Sequence, residues 1–308
     1  MAHVVIVGAG FGGLTCARKL DGQPVDVTLL DQDNYHLFTP LLYQVATGLL
    51  NPSDVAYPLR TVFRHSRNVR FRQARVDHVD LHRKLVVLDG GVEISYDYVV
   101  LASGSTDNYF GNKTVAEVSL GLKTLPNATR LRNHVLTCLE RADAEGDRAK
   151  RAALLTFVIV GGGPTGVETA GALSELLGIV AGKDYHQISR AETRIVLVEG
   201  TDRLLGTFST RISAYARRVL ERRGVEVVTD VLVKDADAHA VTLANGTVIP
   251  CETIIWSAGV RPNDSIADPS LPRLRNRRIH VDGHLQIPGS QGAYAIGDVA
   301  TPGAVHAV

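Results

Sequence analysis

Short aliphatic runs without polar alternation recur along the chain and stop where glycines begin. The clearest are residues 4–7 (VVIV) and 157–160 (FVIV), each followed at once by a glycine-rich stretch. An unbroken apolar run fits a strand buried on both faces, as the strands of parallel sheets are. A second run follows a helical stretch in each case, at residues 27–30 and 194–198. The pattern predicts two strand–helix–strand units with right-handed crossovers.

Two later runs end in a similar way. Residues 97–102 (DYVVLA) lead into Ser103 and Gly104, and residues 253–256 (TIIW) lead through a serine and an alanine to Gly259. Their likeness strengthens the view that the chain holds two similar halves. We therefore predict an α/β protein with two Rossmann-like dinucleotide-binding domains.

The first glycine loop, residues 8–13 (GAGFGG), fits the pattern G-x-G-x-x-G through Gly8, Gly10 and Gly13. One glycine permits the tight turn, one lets backbone approach a pyrophosphate, and one lets the helix pack closely on the strand. The helix N-terminus then offers free N–H groups to the phosphates. Asp31 follows the second strand where an acid for the ribose hydroxyls is expected, a plain strand-end acid being the alternative. Gly12 is a further predicted contact of this nucleotide.

The second glycine loop, residues 161–168 (GGGPTGVE), repeats the pattern. Glu199 ends the next strand and is the candidate ribose acceptor. A carboxylate there repels a 2′-phosphate, so NADH is expected rather than NADPH. The interval to Glu199 is longer than usual, and the surplus around residues 179–191 predicts a longer helix end and a loop. The predicted nucleotide contacts in this loop are Gly161, Gly163, Pro164, Thr165 and Gly166.

Glu168 stands in the first helical turn after the second loop, where the first loop has the uncharged Thr15. The helix dipole stabilises a carboxylate at this end of a helix, which is a structural reason for it. A free anion beside bound phosphates would repel them, but it would be tolerated if it faced a nicotinamide. The residues alone leave the structural and the functional interpretation open.

Composition limits the function without deciding it. A chain of 308 residues suggests two domains, and a net charge of +1 gives no reason to expect a nucleic-acid partner. The cysteines, Cys16, Cys138 and Cys251, form no C-x-x-C pair, so we expect neither a disulfide framework nor dithiol chemistry. They are expected to be small buried residues. The eleven histidines show no metal-ligand spacing, and no metal site is expected.

No targeting or membrane-spanning segment is expected. Strand-like residues begin at Val4, which leaves no room for a signal peptide. No apolar run approaches the roughly 18 residues that suggest a membrane span. We therefore expect a cytoplasmic chain that does not cross a bilayer.

Together with the segment at residues 294–298 (YAIGD), the two glycine loops resemble the flavoproteins with two dinucleotide-binding domains. In that superfamily the acid of the Gly-Asp pair lies on the FAD ribityl chain, which implies this role for Asp298 beside Gly297. From the residues alone, an acid after a glycine at a strand end could equally cap a helix.

A narrower resemblance is to the type II NADH dehydrogenases, the single-chain NADH:quinone oxidoreductases. It is carried by residues 34–48 (NYHLFTPLLYQVATG), 121–125 (GLKTL), 161–168 and 256–262 (WSAGVRP), and it extends over essentially the whole chain. The absence of a cysteine pair fits this family and argues against disulfide reductases and sulfide:quinone oxidoreductases, which need thiols.

The resemblance implies roles for further residues. Residues 40–44 would lie against the flavin, and Glu168 would lie near nicotinamide and flavin, handling substrate and protons. The remaining predicted cofactor contacts are Pro40, Leu41, Gln44, Ala102, Ser103, Gly104 and Gly259.

The implied organisation is an FAD-binding domain at residues 1–115 and 266–308, with an NADH-binding domain at 116–265 inserted in it. The implied activity takes a hydride from NADH to flavin N5 and passes two electrons to a quinone. The alternatives are an NADH-dependent reductase of a small redox protein such as a ferredoxin or rubredoxin, a soluble NADH oxidase, and an inactive truncated nucleotide-binding remnant.

Members of this family continue well beyond the segment that contains Asp298, whereas this sequence stops at Val308. We therefore expect a C-terminally truncated chain that lacks the family's quinone-site residues and amphipathic membrane anchor. Expected partners are NADH, a quinone and a second copy of the chain. Contact with the inner face of the cell membrane is expected only through the missing part.

Overall fold

The computed structural model describes residues 1–263, 266, 271 and 273–302. The chain forms two compact units. The first unit comprises Met1–Leu37, Ala56–Thr106 and Arg261–Val308, and the second comprises Phe38–Val55 and Asp107–Val260. Two of the unit boundaries fall inside the short strands Ser105–Asp107 and Val260–Pro262.

A five-stranded parallel sheet organises the first unit. Its central strand carries the VVIV run, in which Val5 and Ile6 are fully buried, because helices and loops cover both faces. The register places Val7 beside Leu30 and Leu101, so three strand ends meet at the first glycine loop. In spatial order the strands are Ala293–Ala295, Tyr98–Leu101, Ala2–Val7, Val25–Asp31 and Val69–Gln73.

The helix Phe11–Leu20, here called the first-loop helix, follows the first glycine loop. It buries Leu14 and Ala17 in a cluster with Val4, Ile6 and Leu29. The other described elements of this unit are the helix Leu59–Val62, the 3-10 turn Gly297–Val299, and the strands Tyr35–Leu37, Ala56–Pro58, Val76–Asp80, Leu85–Leu88, Glu93–Ser95, Ile279–Val281 and Ala300–Pro302.

The second unit repeats this arrangement with a second five-stranded parallel sheet. The FVIV run lies in its central strand, and Phe157, Val158 and Ile159 are fully buried. In spatial order the strands are Leu120–Gly121, Thr253–Trp256, Thr156–Val160, Arg194–Val198 and Val225–Val228. The predicted α/β class with two Rossmann-like sheets is confirmed.

The second-loop helix, Pro164–Val180, follows the second glycine loop, and its length together with the turn Arg190–Glu192 accounts for the long interval to Glu199. The unit also contains the 3-10 turn Thr39–Leu41, the helices Leu42–Ala46, Pro52–Val55, Lys113–Val118, Leu125–Ala144, Arg148–Leu154 and Thr210–Arg222, and the antiparallel strands Val233–Ala236, Ala240–Leu243 and Val248–Pro250. Of the cysteines, Cys138 and Cys251 are buried as expected, and Cys16 is half-buried.

The segment Phe38–Val55 belongs to the second unit, although the boundaries predicted from sequence would leave it in the first domain. Its helix Leu42–Ala46 packs on Leu125–Ala144 and on the second-loop helix. The physical reason is burial: Leu42, Val45 and Ala46 are almost completely removed from water. Among the described residues, no helix has the length and apolar character that crossing a membrane requires.

Candidate functional site

The first glycine loop turns sharply at the end of the central strand. Gly8 has φ +105°, a conformation that favours glycine, and a Cβ there would lie 2.3 Å from the carbonyl oxygen of Ala102. Gly10 begins the first-loop helix from an extended backbone conformation, with no side chain capping the helix. No side chain therefore competes with a ligand for this helix end.

Asp31 lies beside the loop, as predicted. One oxygen of its carboxylate accepts the Ala9 N–H at 2.6 Å, and the other accepts the Asp33 N–H at 2.9 Å. Burial raises the pKa of Asp31, and the backbone hydrogen bonds oppose that rise. Asp31 thus holds the loop while keeping lone pairs available to hydroxyl groups.

The next peptide, between Ala9 and Gly10, is held through its carbonyl by His36, which the sequence analysis did not predict. Nδ1 of His36 lies 2.9 Å from the Ala9 carbonyl oxygen and is the donor, because a carbonyl only accepts. The ring also meets Phe11 edge-on, with centroids 5.1 Å apart. The only sequence signal was the position of His36 within the segment that carries the narrower family resemblance.

A cavity of about 490 Å³ lies in the first unit next to the first loop. Gly8 and Asp31 stand at one side of it, and Arg75 and Asp89 form an ion pair of 3.7 Å on its lining. Ser103 also lines it, and its hydroxyl donates to the Asn263 carbonyl at 2.6 Å.

Asp298, the predicted ribityl contact, stands in the turn that begins at Gly297, whose φ is +72°. Its carboxylate accepts the Ser105 hydroxyl at 2.6 Å. Gly104, at φ +69°, precedes Ser105 in the same loop. Through this hydrogen bond, the first unit brings the Gly-Asp pair close to the strand-end residues 102–104.

The backbone of the first glycine loop, together with Asp31 and Asp298, fits FAD. A Cβ on Gly10 would meet nothing within 4 Å, so the space before the helix end is open, whereas a Cβ on Gly12 would press on Ile296 at 3.3 Å. Open space at a helix N-terminus, with a carboxylate beside it, suits a diphosphate and its ribose. Gly12 thus contacts protein here, and its predicted contact with the cofactor stays a prediction.

The second glycine loop has the same geometry. Gly161 has φ +108°, and the Gly162 N–H donates to Glu199 at 2.6 Å, just as Ala9 does to Asp31. The other carboxylate oxygen of Glu199 accepts both the N–H and the hydroxyl of Thr201, each at 2.8 Å. A Cβ on Gly163 would meet nothing within 4 Å. This helix end is likewise open to a diphosphate.

Replacing Glu199 with arginine is expected to shift the nucleotide preference toward NADPH by at least about tenfold, because a cation replaces the anion that repels a 2′-phosphate. The ratio of the dissociation constants for NADH and NADPH checks this. Glu199→Gln keeps an acceptor for the loop amide and removes only the charge. Glu117→Arg is the charge-matched control, because Glu117 is an exposed glutamate of the helix Lys113–Val118. A preference that Glu199→Arg leaves unaltered would remove Glu199 as the ribose acceptor.

Glu168 lines a second cavity, of about 280 Å³, within the second unit. Pro40 and Thr165 are on the same lining, together with Tyr43 and Lys123. Although Glu168 is exposed, partial burial in the cavity raises the pKa of its carboxyl. This carboxyl therefore keeps its proton to a higher pH than a free glutamate does.

Three predicted cofactor contacts of the second unit, Leu41, Gln44 and Gly259, are not on the lining of this cavity. Leu41 ends a 3-10 turn, and Gln44 donates through its amide to the Tyr43 hydroxyl at 3.0 Å. Gly259 lies under the Phe110 ring, which a Cβ would approach to 2.8 Å. Burial raises the pKa of Asp107, which lies near Lys123, and the lysine opposes that rise. Neither Asp107 nor Lys123 was predicted from the sequence.

Comparison with known proteins matches residues 2–308 to the family described as pyridine nucleotide-disulphide oxidoreductase. The type II NADH:quinone oxidoreductase Ndh of Mycobacterium tuberculosis is 37% identical to this chain over 97% of it and 67% of that protein. A probable NADH dehydrogenase of Dictyostelium discoideum is 31% identical over 96% of this chain and 67% of that protein.

Among solved structures, NDH2 from Plasmodium falciparum in complex with NADH has a TM-score of 0.92 and 25% identity, covering 98% of this chain and 64% of that one. The chain thus spans about two thirds of the length of these proteins.

Proposed function

Because the chain belongs to the pyridine nucleotide-disulphide oxidoreductases, and among them to the type II NADH:quinone oxidoreductases, we propose that it oxidises NADH and reduces a quinone by means of bound FAD. The first unit binds FAD and the second binds NADH. The reaction converts NADH to NAD⁺, and the quinone takes up two electrons and two protons, one of them from solution.

One observation carries this proposal: both units contain the same arrangement of a glycine loop at the N-terminus of a helix. In each, a strand-end carboxylate accepts a loop N–H at 2.6 Å, and the glycine before the helix faces open space. Two such ends call for two dinucleotides. NADH and a flavin are the pair that the family membership supports.

When bound, FAD supplies the hydride acceptor and the two-electron carrier between NADH and the quinone. The chain's own residues bind and orient the two nucleotides. The loop N–H groups and the helix dipoles stabilise the diphosphates, while Asp31 and Glu199 accept ribose hydroxyls. Glu168 holds a proton in the cavity that it shares with Pro40 and Lys123.

The quinone, the membrane contact and the assembly are part of the same proposal. A quinone is supported by the name of the Mycobacterium relative. We further propose a homodimer and peripheral contact with the inner face of the cell membrane. Sedimentation of the chain alone tests the homodimer. Because the membrane contact is expected only through the family's C-terminal part, binding to lipid vesicles is tested with a chain that carries that part, and this 308-residue chain is the control.

The proposed activity is tested by mixing the full 308-residue chain, loaded with FAD, with NADH and a water-soluble quinone under anaerobic conditions. The expected result is NADH consumption that depends on the quinone and matches it one for one. Consumption that requires a ferredoxin-type protein or oxygen would replace this function by one of its rivals.

Replacing Glu168 with glutamine is expected to lower kcat for quinone reduction by about 100-fold and to flatten its pH dependence. In the wild type, burial raises the pKa of the Glu168 carboxyl above its ordinary value. As the pH rises through that pKa, the carboxyl ionises and the rate falls, because the proton donor is lost. Glutamine has no such proton. Steady-state rates across pH check this.

Glu175→Gln is the matched control, since Glu175 is an exposed glutamate on the same second-loop helix. It should keep the wild-type profile. An alkaline limb that persists in Glu168→Gln would assign proton delivery to another group.

A further inference from the structure

Leu232 is an exposed leucine at the edge of the second unit's sheet, with 66% of its surface accessible. It follows the strand Val225–Val228, at the carboxyl end of the parallel sheet, where α/β proteins bind ligands. Its backbone is fixed, because its carbonyl accepts the Ala244 N–H at 2.9 Å. A single exposed leucine is ordinary by itself, and its surroundings give it meaning.

The side chain of Leu232 lies directly on Gly200. A Cβ on Gly200 would be 2.5 Å from Cδ2 of Leu232, closer than two carbons can approach. Gly200 follows Glu199, the proposed ribose acceptor. The absent side chain at residue 200 therefore lets an apolar surface lie next to the carboxylate that would bind the adenosine ribose.

Comparison of the two similar units identifies the residue of the first unit that corresponds to Leu232. In the first unit, the Ala74 N–H donates to the main-chain carbonyl of Asp31 at 2.8 Å, and Arg75 comes next in the chain. In the second unit, the Val231 N–H donates to the main-chain carbonyl of Glu199 at 3.3 Å, and Leu232 comes next.

The strands concerned pair in parallel in both units, so Leu232 is the structural counterpart of Arg75. Arg75 lines the first unit's cavity beside Asp31, where the adenosine half of FAD would lie. The counterpart of that place in the second unit is bounded by Glu199, Gly200 and Leu232.

We propose that Leu232 is the side chain on which the adenine ring of NADH packs, which makes it a determinant of affinity for the adenylate half of the nucleotide. This inference rests on the proposed binding of NADH by the second unit. An aliphatic side chain offers an adenine face dispersion and burial without hydrogen bonds. Leu232 therefore contributes to binding and has no part in the chemistry at the nicotinamide.

The test measures the dissociation constants of the full chain for NADH, ADP-ribose and reduced nicotinamide mononucleotide by calorimetry. Leu232→Ser is expected to raise the dissociation constants for NADH and ADP-ribose about fivefold, because one partly buried leucine contact is lost. Reduced nicotinamide mononucleotide lacks the adenylate half, so its dissociation constant should not move. Val248→Ser, which alters another exposed aliphatic residue of the same unit, is the control.

Gly200→Ala gives an independent arm, because its methyl group must displace the Leu232 side chain. Gly200→Ala alone should weaken the binding of ADP-ribose. Added to Leu232→Ser, it should change that binding little further. Equal losses for ADP-ribose and reduced nicotinamide mononucleotide, or no loss for either, would overturn the inference. If the wild type binds reduced nicotinamide mononucleotide and ADP-ribose, and Leu232→Ser binds both with the same affinities, the inference about Leu232 fails and the proposed function stands. If the wild type binds no NADH, the proposed function fails with it.

Discussion

Replacing Gly13 or Gly166 with alanine is expected to destabilise the unit that contains it by about 3 kcal/mol, with or without nucleotide. The new Cβ would lie 1.8 Å from the carbonyl oxygen of Gly8 in the first unit, or of Gly161 in the second. Both neighbours are backbone at the end of a central strand, so neither can move aside without shifting the helix. These two positions are where helix and strand pack most closely.

Urea unfolding measures the second-unit effect directly, because the single tryptophan, Trp256, lies in that unit and its fluorescence follows it alone. Gly178→Ala is the matched control. Gly178 is in the second-loop helix, a Cβ there would meet nothing within 4 Å, and alanine favours helix by up to about 1 kcal/mol. Equal unfolding midpoints for Gly166→Ala and Gly178→Ala would show that the helix does not pack as described.

Replacing Gly10 with valine is expected to abolish FAD binding, a loss of at least about 100-fold in affinity, while leaving the apoprotein as stable as the wild type. The backbone at Gly10 is extended, which valine adopts readily, and the space around its Cβ is empty. That space is where the FAD diphosphate would lie. Gly163→Val should do the same to NADH in the second unit.

The two variants are each other's controls. Gly10→Val should keep its affinity for ADP-ribose, measured by calorimetry, and Gly163→Val should keep its flavin absorbance. If both variants lose both nucleotides, the two loops do not form separate sites. If Gly10→Val retains FAD with wild-type affinity, the diphosphate lies elsewhere.

Much of the fold was open to prediction from the sequence, because parallel strands buried on both faces leave a strong pattern. The runs at residues 4–7 and 157–160 lie in the central strands, and a helix follows each glycine loop. Glycine spacing carries this much information since close backbone contacts tolerate no other residue.

The finer geometry depends on contacts between residues far apart in the chain, which no local pattern encodes. The hydrogen bonds from Ala9 to Asp31 and from His36 to Ala9 join a loop to residues that follow it by more than twenty positions. The packing of Leu42–Ala46 on the second unit, and that of Leu232 on Gly200, are likewise visible only in three dimensions. The roles proposed for these residues remain predictions.

If one chain holds FAD and NADH at two separate helix ends, NADH should reduce a flavin that the chain already carries. The experiment is to purify the full chain, record its visible spectrum, and add NADH without oxygen. We expect a yellow protein with a single tightly held FAD whose absorbance bleaches when NADH is added. A colourless protein that cannot take up FAD when it is supplied would contradict that expectation.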